Sequence, residues 1–147
     1  MQFLILTGAL LLAASASFAA EAPKFSLKNL DGKTVNVGAL IGKKVIVLNF
    51  WASWCSACEE EIPALASLKA SPGAENVEFF GINVAEKEAH IRHFTNKYKY
   101  PYITLKDSNR KVSHLFGLTS VPATIIIAKD GKIIYKAPIP PKNYTFN

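Results

Sequence analysis

Hydrophobic and polar positions alternate between two periods along this chain, and the alternation predicts its elements. Phe25–Leu30 and Lys33–Val37 flank Asp31-Gly32, a two-residue hairpin signal. Val45–Trp51 is a continuous apolar run and so a buried strand, and Val77–Val84 is a second. Between them a helix is expected from about Cys55 to Ser71, ending against Pro72-Gly73. In Glu86–Tyr98, Ile91, Phe94 and Tyr98 recur at helical spacing, an amphipathic helix closed by Pro101. Tyr102–Lys106 reads as a strand, and Val112, Leu115 and Phe116 mark a short helix capped by Gly117. Thr124–Lys129 and Lys132–Lys136 bracket Asp130-Gly131 as a second hairpin. Strands alternating with helices and closing on a hairpin describe an α/β fold with a mixed sheet.

The ends differ from the middle. Residues 1–20 carry no charged side chain, with an apolar block from Phe3 to Leu12 followed by small residues. Ser17-Phe18-Ala19 fits cleavage after Ala19, so residues 1–19 read as a signal peptide. No Lys or Arg precedes the apolar block, and left uncleaved it would be an anchor, giving membrane association through residues 3–20. Either outcome delivers the rest of the chain to a periplasmic or other extracytoplasmic space, where disulfides persist. One domain is expected over residues 20–137. Residues 138–147 form a tail in which Pro138, Pro140 and Pro141 oppose a helix.

Charge narrows the partners. The chain has 17 Lys+Arg against 11 Asp+Glu in 147 residues, a formal charge of +6. The basic residues are scattered, with no run of five, so a nucleic-acid footprint is not indicated.

The chemistry lies in Trp54-Cys55-Ser56-Ala57-Cys58, which contains the only two cysteines of the chain. The pair sits where a buried strand turns into a helix. Two intervening residues in a first helical turn bring both sulfurs to one end of that helix. Unpaired N–H groups there stabilise a thiolate, lowering a cysteine pKa to between roughly 3.5 and 7.5. Cys55 is the expected nucleophile and Cys58 the resolving thiol. The alternatives are a static bridge or half of a zinc site, for which His90, His93 and His114 would be the only further histidine ligands.

Glu61 falls on the apolar face between Leu65 and Leu68, three residues after Cys58. A carboxylate placed there is desolvated, its pKa raised, and able to shuttle a proton for Cys58. The competing explanation is that Glu59, Glu60 and Glu61 together favour the positive helix end. Pro63 cannot donate to the Glu59 carbonyl, so the helix should kink below the cysteines. Tyr98 and Tyr100, around Pro101, read as packing.

Four features together resemble the thioredoxin fold, and more narrowly the exported TlpA/ResA group of thiol–disulfide oxidoreductases: the stretch Asn49-Phe-Trp-Ala-Ser-Trp-Cys-Ser-Ala-Cys58, Pro63, Ser120-Val-Pro-Ala-Thr124, and the Glu86–Lys106 segment. The likeness runs from about Ala22 to Ala137. It implies a thioredoxin-like α/β fold with an N-terminal β-hairpin and a helix–strand insertion over Glu86–Lys106. It implies a cis Val121–Pro122 bond beside the disulfide, with the Val121 backbone and Trp54 receiving an extended substrate. Ser56 and Ala57 would tune the redox potential. Thioredoxin itself carries an aspartate where this chain has Asn49, a role that Glu61 would assume. No cofactor beyond the Cys55–Cys58 thiols is implied. The implied partners are client proteins with disulfides or thiols, for example in cytochrome c maturation, and a membrane thiol transporter as electron donor. A copper carrier or other non-catalytic binding module is the alternative from another class. Relatives follow the last hairpin with a helix that covers the sheet, and none is expected here.

Overall fold

The computed structural model describes residues 19–147, so expectations for the leader fall largely outside the described residues. Seven strands form one mixed sheet: β1 (Ser26–Asn29), β2 (Thr34–Asn36), β3 (Val45–Trp51), β4 (Val77–Val84), β5 (Ile103–Asp107), β6 (Ala123–Ile127) and β7 (Ile133–Ala137). Their spatial order is β2-β1-β5-β4-β3-β6-β7. The centre, β3-β4-β5, is parallel, and β1, β6 and β7 join it antiparallel. Among the described residues four α-helices accompany the sheet: α1 (Ser56–Glu60), α2 (Ile62–Lys69), α3 (Glu88–Tyr98) and α4 (Lys111–Leu115).

β3 shows how the pleat divides the core. Ile46, Leu48 and Phe50 enter one cluster with Phe80, Ile82, Ile125 and Phe116. Val47 faces the opposite side, against Leu65 and Leu68 of α2, and Trp51 packs with Ile91 and Phe94 of α3. Asn49, between Val47 and Trp51, faces that second side by the two-residue period and is fully buried.

Three expectations are corrected in detail. The helix after Cys55 is two helices meeting at Glu61, whose own i, i+4 bonds to Ala57 and Leu65 persist; the interruption is at Pro63, in the first turn of α2, where the ring leaves no N–H for the Glu59 carbonyl. Both hairpin turns hold three loop residues rather than two: Asn29 N–H pairs with the Lys33 carbonyl, and Ala128 N–H with that of Lys132. In each, a carboxamide or carboxylate (Asn29, Asp130) accepts loop N–H groups, and a glycine at positive φ (Gly32, Gly131) closes the turn. α3 begins at Glu88 rather than Glu86 and ends at Tyr98 as expected, but its C-cap Lys99, at a φ of 54°, reverses the chain before Pro101 is reached.

The tail is not helical, as its prolines predict, and it folds back onto the sheet. Phe146 N–H donates to the Pro72 carbonyl, and its ring meets Phe79 edge-on at 5.9 Å. Gly73 is required beneath it, since a Cβ there would overlap the Phe146 carbonyl. Phe146 and the half-buried Tyr144 cover the α2 side of the sheet, the place expected to want a C-terminal helix.

Candidate functional site

Residues 52–54 form the turn that carries the chain from β3 into α1. Glu86, just before α3, holds this turn: its carboxylate accepts from Ser53 N–H at 2.7 Å, from the Ser53 hydroxyl, and from Asn83 Nδ2 at 2.6 Å. Sequence reasoning placed Glu86 at the start of a helix. It is a clamp on the loop before the cysteines.

Cys55 is the N-cap of α1 and is joined to Cys58 as a disulfide. Cys55 Sγ accepts the Cys58 N–H at 3.1 Å, the capping bond that an anionic sulfur would strengthen. With α1 only five residues long, this local donor, more than a long macrodipole, favours a thiolate at Cys55. Exposure separates the two sulfurs' residues. Cys55 keeps 7% of its surface open and Cys58 only 1%, which makes Cys55 the more accessible of the two. Ser56 and Ala57 are exposed, and Trp54 stands out at 70% exposure.

Val121 packs against the cluster containing both cysteines, which brings the loop before β6 to the disulfide. The Val121–Pro122 peptide is cis. Among the described residues Val121 makes no backbone–backbone hydrogen bond. A cavity of about 350 Å³ opens beside it, lined among others by Trp54, Arg110, His114, Leu118 and Val121.

Glu61 is buried, 8% exposed, on the face turned to β3. Asn49 Nδ2 donates to its Oε1 at 2.7 Å, while Oε2 has no partner among the described residues. Burial pushes the Glu61 pKa up to about 7, and the Asn49 hydrogen bond holds it back from rising further. Its position one turn after Cys58 puts it on the same side of the helical path. Glu59 and Glu60 are exposed, so the three glutamates do not share one role.

Tyr100 belongs to this site as well, although the sequence suggested only packing. Its hydroxyl donates to Asn49 Oδ1 at 2.7 Å, giving the chain Tyr100–Asn49–Glu61. The signal was Gly81, an isolated glycine inside a buried strand, which marks a close approach. A Cβ at Gly81 would overlap the Tyr100 ring. His90 and His93 instead line a separate recess with Ser53 and Lys97, and no metal-binding cluster occurs among the described residues.

Known proteins resemble this chain in sequence and fold. Over 120 residues the chain is 31% identical to the thiol-disulfide oxidoreductase ResA of Bacillus subtilis, covering 82% of this chain and 66% of that protein. ResA of Bacillus anthracis is 32% identical over 114 residues, 78% of this chain and 65% of that one. The chain thus spans just under two thirds of the length of these curated relatives. Among solved structures, MTB dsbF superposes with a TM-score of 0.71 at 30% identity, covering 81% of this chain and 87% of that one. A secreted Mycobacterium tuberculosis disulfide oxidoreductase homologous to E. coli DsbE gives 0.69 at 27%, covering 79% and 84%. Residues 18–136, from just before the described region into β7, match the AhpC/TSA family, and the chain belongs to that family.

Proposed function

We propose that this protein is an exported thiol–disulfide oxidoreductase that reduces disulfides of cell-envelope client proteins. The observation that carries the reading is the Cys55–Cys58 disulfide at the N-cap of α1, with Cys55 the more open residue and Val121 packed alongside. The similarity to ResA and dsbF supports the reaction type.

In the reduced protein, the Cys55 thiolate attacks one sulfur of a client disulfide. A Cys55–client disulfide forms and the client's other sulfur leaves as a thiolate. Glu61 carboxylate then takes the proton of Cys58. The Cys58 thiolate attacks Cys55 Sγ, the Cys55–client bond breaks, and the client's remaining sulfur departs as a thiolate that is protonated from Glu61 or water. Two electrons pass from the cysteine pair to the client, and the Cys55–Cys58 bond is restored. A carboxyl with a pKa of about 7 is suited to both proton steps at neutral pH.

Val121 would pair with the client backbone and Trp54 would shield the exchange. The family resemblance favours apocytochrome c or another cell-envelope disulfide protein as client, a membrane thiol transporter as electron donor, and an extracytoplasmic setting. No helix among the described residues is long and apolar enough to cross a membrane.

Turnover tests this reading. With a thiol reductant, the protein should catalyse reduction of a model protein disulfide, and Cys55→Ser should abolish catalysis. Absence of turnover together with tight stoichiometric Cu(I) binding would replace the enzyme with a copper carrier. A reduction potential near or above about −120 mV would reverse the direction, making the protein an oxidant.

A further inference from the structure

The chain of groups behind Glu61 extends further than the exchange chemistry alone requires. β3 Asn49 lies opposite Gly81 of β4 on one side and Thr124 of β6 on the other. Its amide is held at both ends: Nδ2 to Glu61 Oε1 at 2.7 Å, and Oδ1 to the Tyr100 hydroxyl at 2.7 Å. A third contact, Nδ2 to Thr124 Oγ1 at 3.4 Å, is long and weak.

Donor and acceptor capacity decides which way this amide faces. An ionised Glu61 can only accept, so Asn49 must offer it the amide N–H. Oδ1 then points away, into the interior, and needs a donor. Tyr100 supplies one, and several features hold the ring in place for it. Lys99 adopts a left-handed φ of 54°, which reverses the chain after α3. Tyr100 N–H bonds back to the Thr95 carbonyl. The ring lies over Gly81 and packs against Trp51 with centroids 4.9 Å apart. Tyr100 as a residue is half-buried, but its hydroxyl end is inward, and that burial pushes its own pKa well above the usual tyrosine range. The hydroxyl therefore stays a proton donor at any working pH.

We propose that Tyr100 is a positioning residue for the exchange reaction: its hydroxyl fixes the Asn49 amide with Nδ2 toward Glu61, and so sets the pH at which the Glu61 carboxyl passes its proton. Tyr100 touches neither sulfur in this role; it acts through Asn49. Without the hydroxyl, Asn49 Oδ1 is buried with no donor and nothing fixes the amide in this orientation, so its Nδ2 bond to Glu61 loosens and the turned orientation becomes accessible. The turned amide presents oxygen to Glu61, which repels the carboxylate and accepts from the protonated acid. Both changes hold the proton on Glu61 to higher pH.

The titratable groups facing Glu61 are few. Cys58 lies one turn earlier on the helical path, and Tyr100 and Tyr102 approach from the segment between α3 and β5. Tyr102 donates to the Leu65 carbonyl at 2.9 Å and is pushed above its ordinary range, so it stays neutral. β3 and β6 contribute Asn49 and Thr124, neither of which titrates. In the oxidised protein Cys58 does not titrate either, which leaves Glu61 as the only member of the cluster changing charge near neutrality.

The inference rests on the oxidoreductase reading with Glu61 as proton shuttle, and Tyr100→Phe tests it by removing one oxygen while keeping the ring. Two readouts are needed. The first is the Glu61 carboxyl carbon, titrated by ¹³C NMR in the oxidised full chain. The second is the pH profile of resolution, followed as release of a thiol from a preformed Cys55 mixed disulfide with a small aromatic thiol. Tyr100→Phe should move both midpoints up by about 0.7 pH unit, slowing resolution about fivefold on the acid limb. In a Glu61→Gln background the same substitution should leave the resolution profile unchanged. An unmoved Glu61 midpoint in Tyr100→Phe overturns the proposal, as does a Tyr100→Phe effect on resolution that persists in Glu61→Gln. Should Glu61→Gln itself leave the resolution profile as in the parent, the proton-shuttle reading fails, and this proposal with it. A normal Glu61→Gln effect with a silent Tyr100→Phe removes the Tyr100 role alone.

Discussion

Replacing Glu61 by glutamine should change how stability depends on pH, and the structure sets the size of the effect. In the unfolded chain Glu61 ionises near 4.5, whereas burial in the fold raises its pKa to about 7. Between those values the folded protein holds a proton that the unfolded chain releases, so folding stability falls as pH rises. The loss is absent below 4.5, accumulates through the window and is complete above about 7. At 1.36 kcal/mol per pH unit, a rise from 4.5 to about 7 corresponds to about 3 kcal/mol. Glutamine keeps the shape and one acceptor for Asn49 Nδ2 but cannot ionise. Urea unfolding of the oxidised proteins at pH 4 and pH 8 isolates this term, because every other carboxylate cancels between parent and variant. The parent should lose about 3 kcal/mol more than Glu61→Gln across that span. Stability curves that run parallel within about 1 kcal/mol would refute the claim that the fold withholds charge from Glu61.

Other perturbations separate fold from function. Phe146→Ala should destabilise the protein by about 3 kcal/mol in thermal or urea unfolding, because its ring fills the α2 side of the core; a loss under about 0.5 kcal/mol would mean that the tail does not cover the sheet. Trp54→Ala should leave stability within about 0.5 kcal/mol, given its exposure, yet raise KM for protein disulfides severalfold. An unchanged KM would remove Trp54 from client docking.

Much of this site could be read from the chain because local chemistry dictates it. Val45–Trp51 is apolar at every position but Asn49 and is fixed as a central strand, so the cysteines that follow it must emerge at the sheet's end. Glu61 on an otherwise apolar face was legible as a buried acid for the same reason. The turns were less so: Asn29 and Asp130 each add side-chain bonds to the loop, which selects three residues over two without changing which strands pair. Tyr100 and Glu86 were hidden because their partners are remote in sequence, Asn49 lying 51 residues from Tyr100 and Ser53 lying 33 from Glu86. Neither period nor propensity encodes such pairs. The tail was legible as non-helical from its three prolines, but not as the cover of the sheet, because the packing of Tyr144 and Phe146 depends on partners remote in sequence.

The account stands on Cys55 as the sulfur that meets the client, and the most direct test is to stop the reaction after its first step. Reduced Cys58→Ser protein mixed with a disulfide-bonded peptide should accumulate a covalent adduct, and peptide mass mapping should place it on Cys55. The converse variant, Cys55→Ser, should accumulate none at neutral pH. An adduct on Cys58 in Cys55→Ser, formed as fast as the one on Cys55, would contradict the assignment of roles; no adduct in either would contradict the exchange reaction itself.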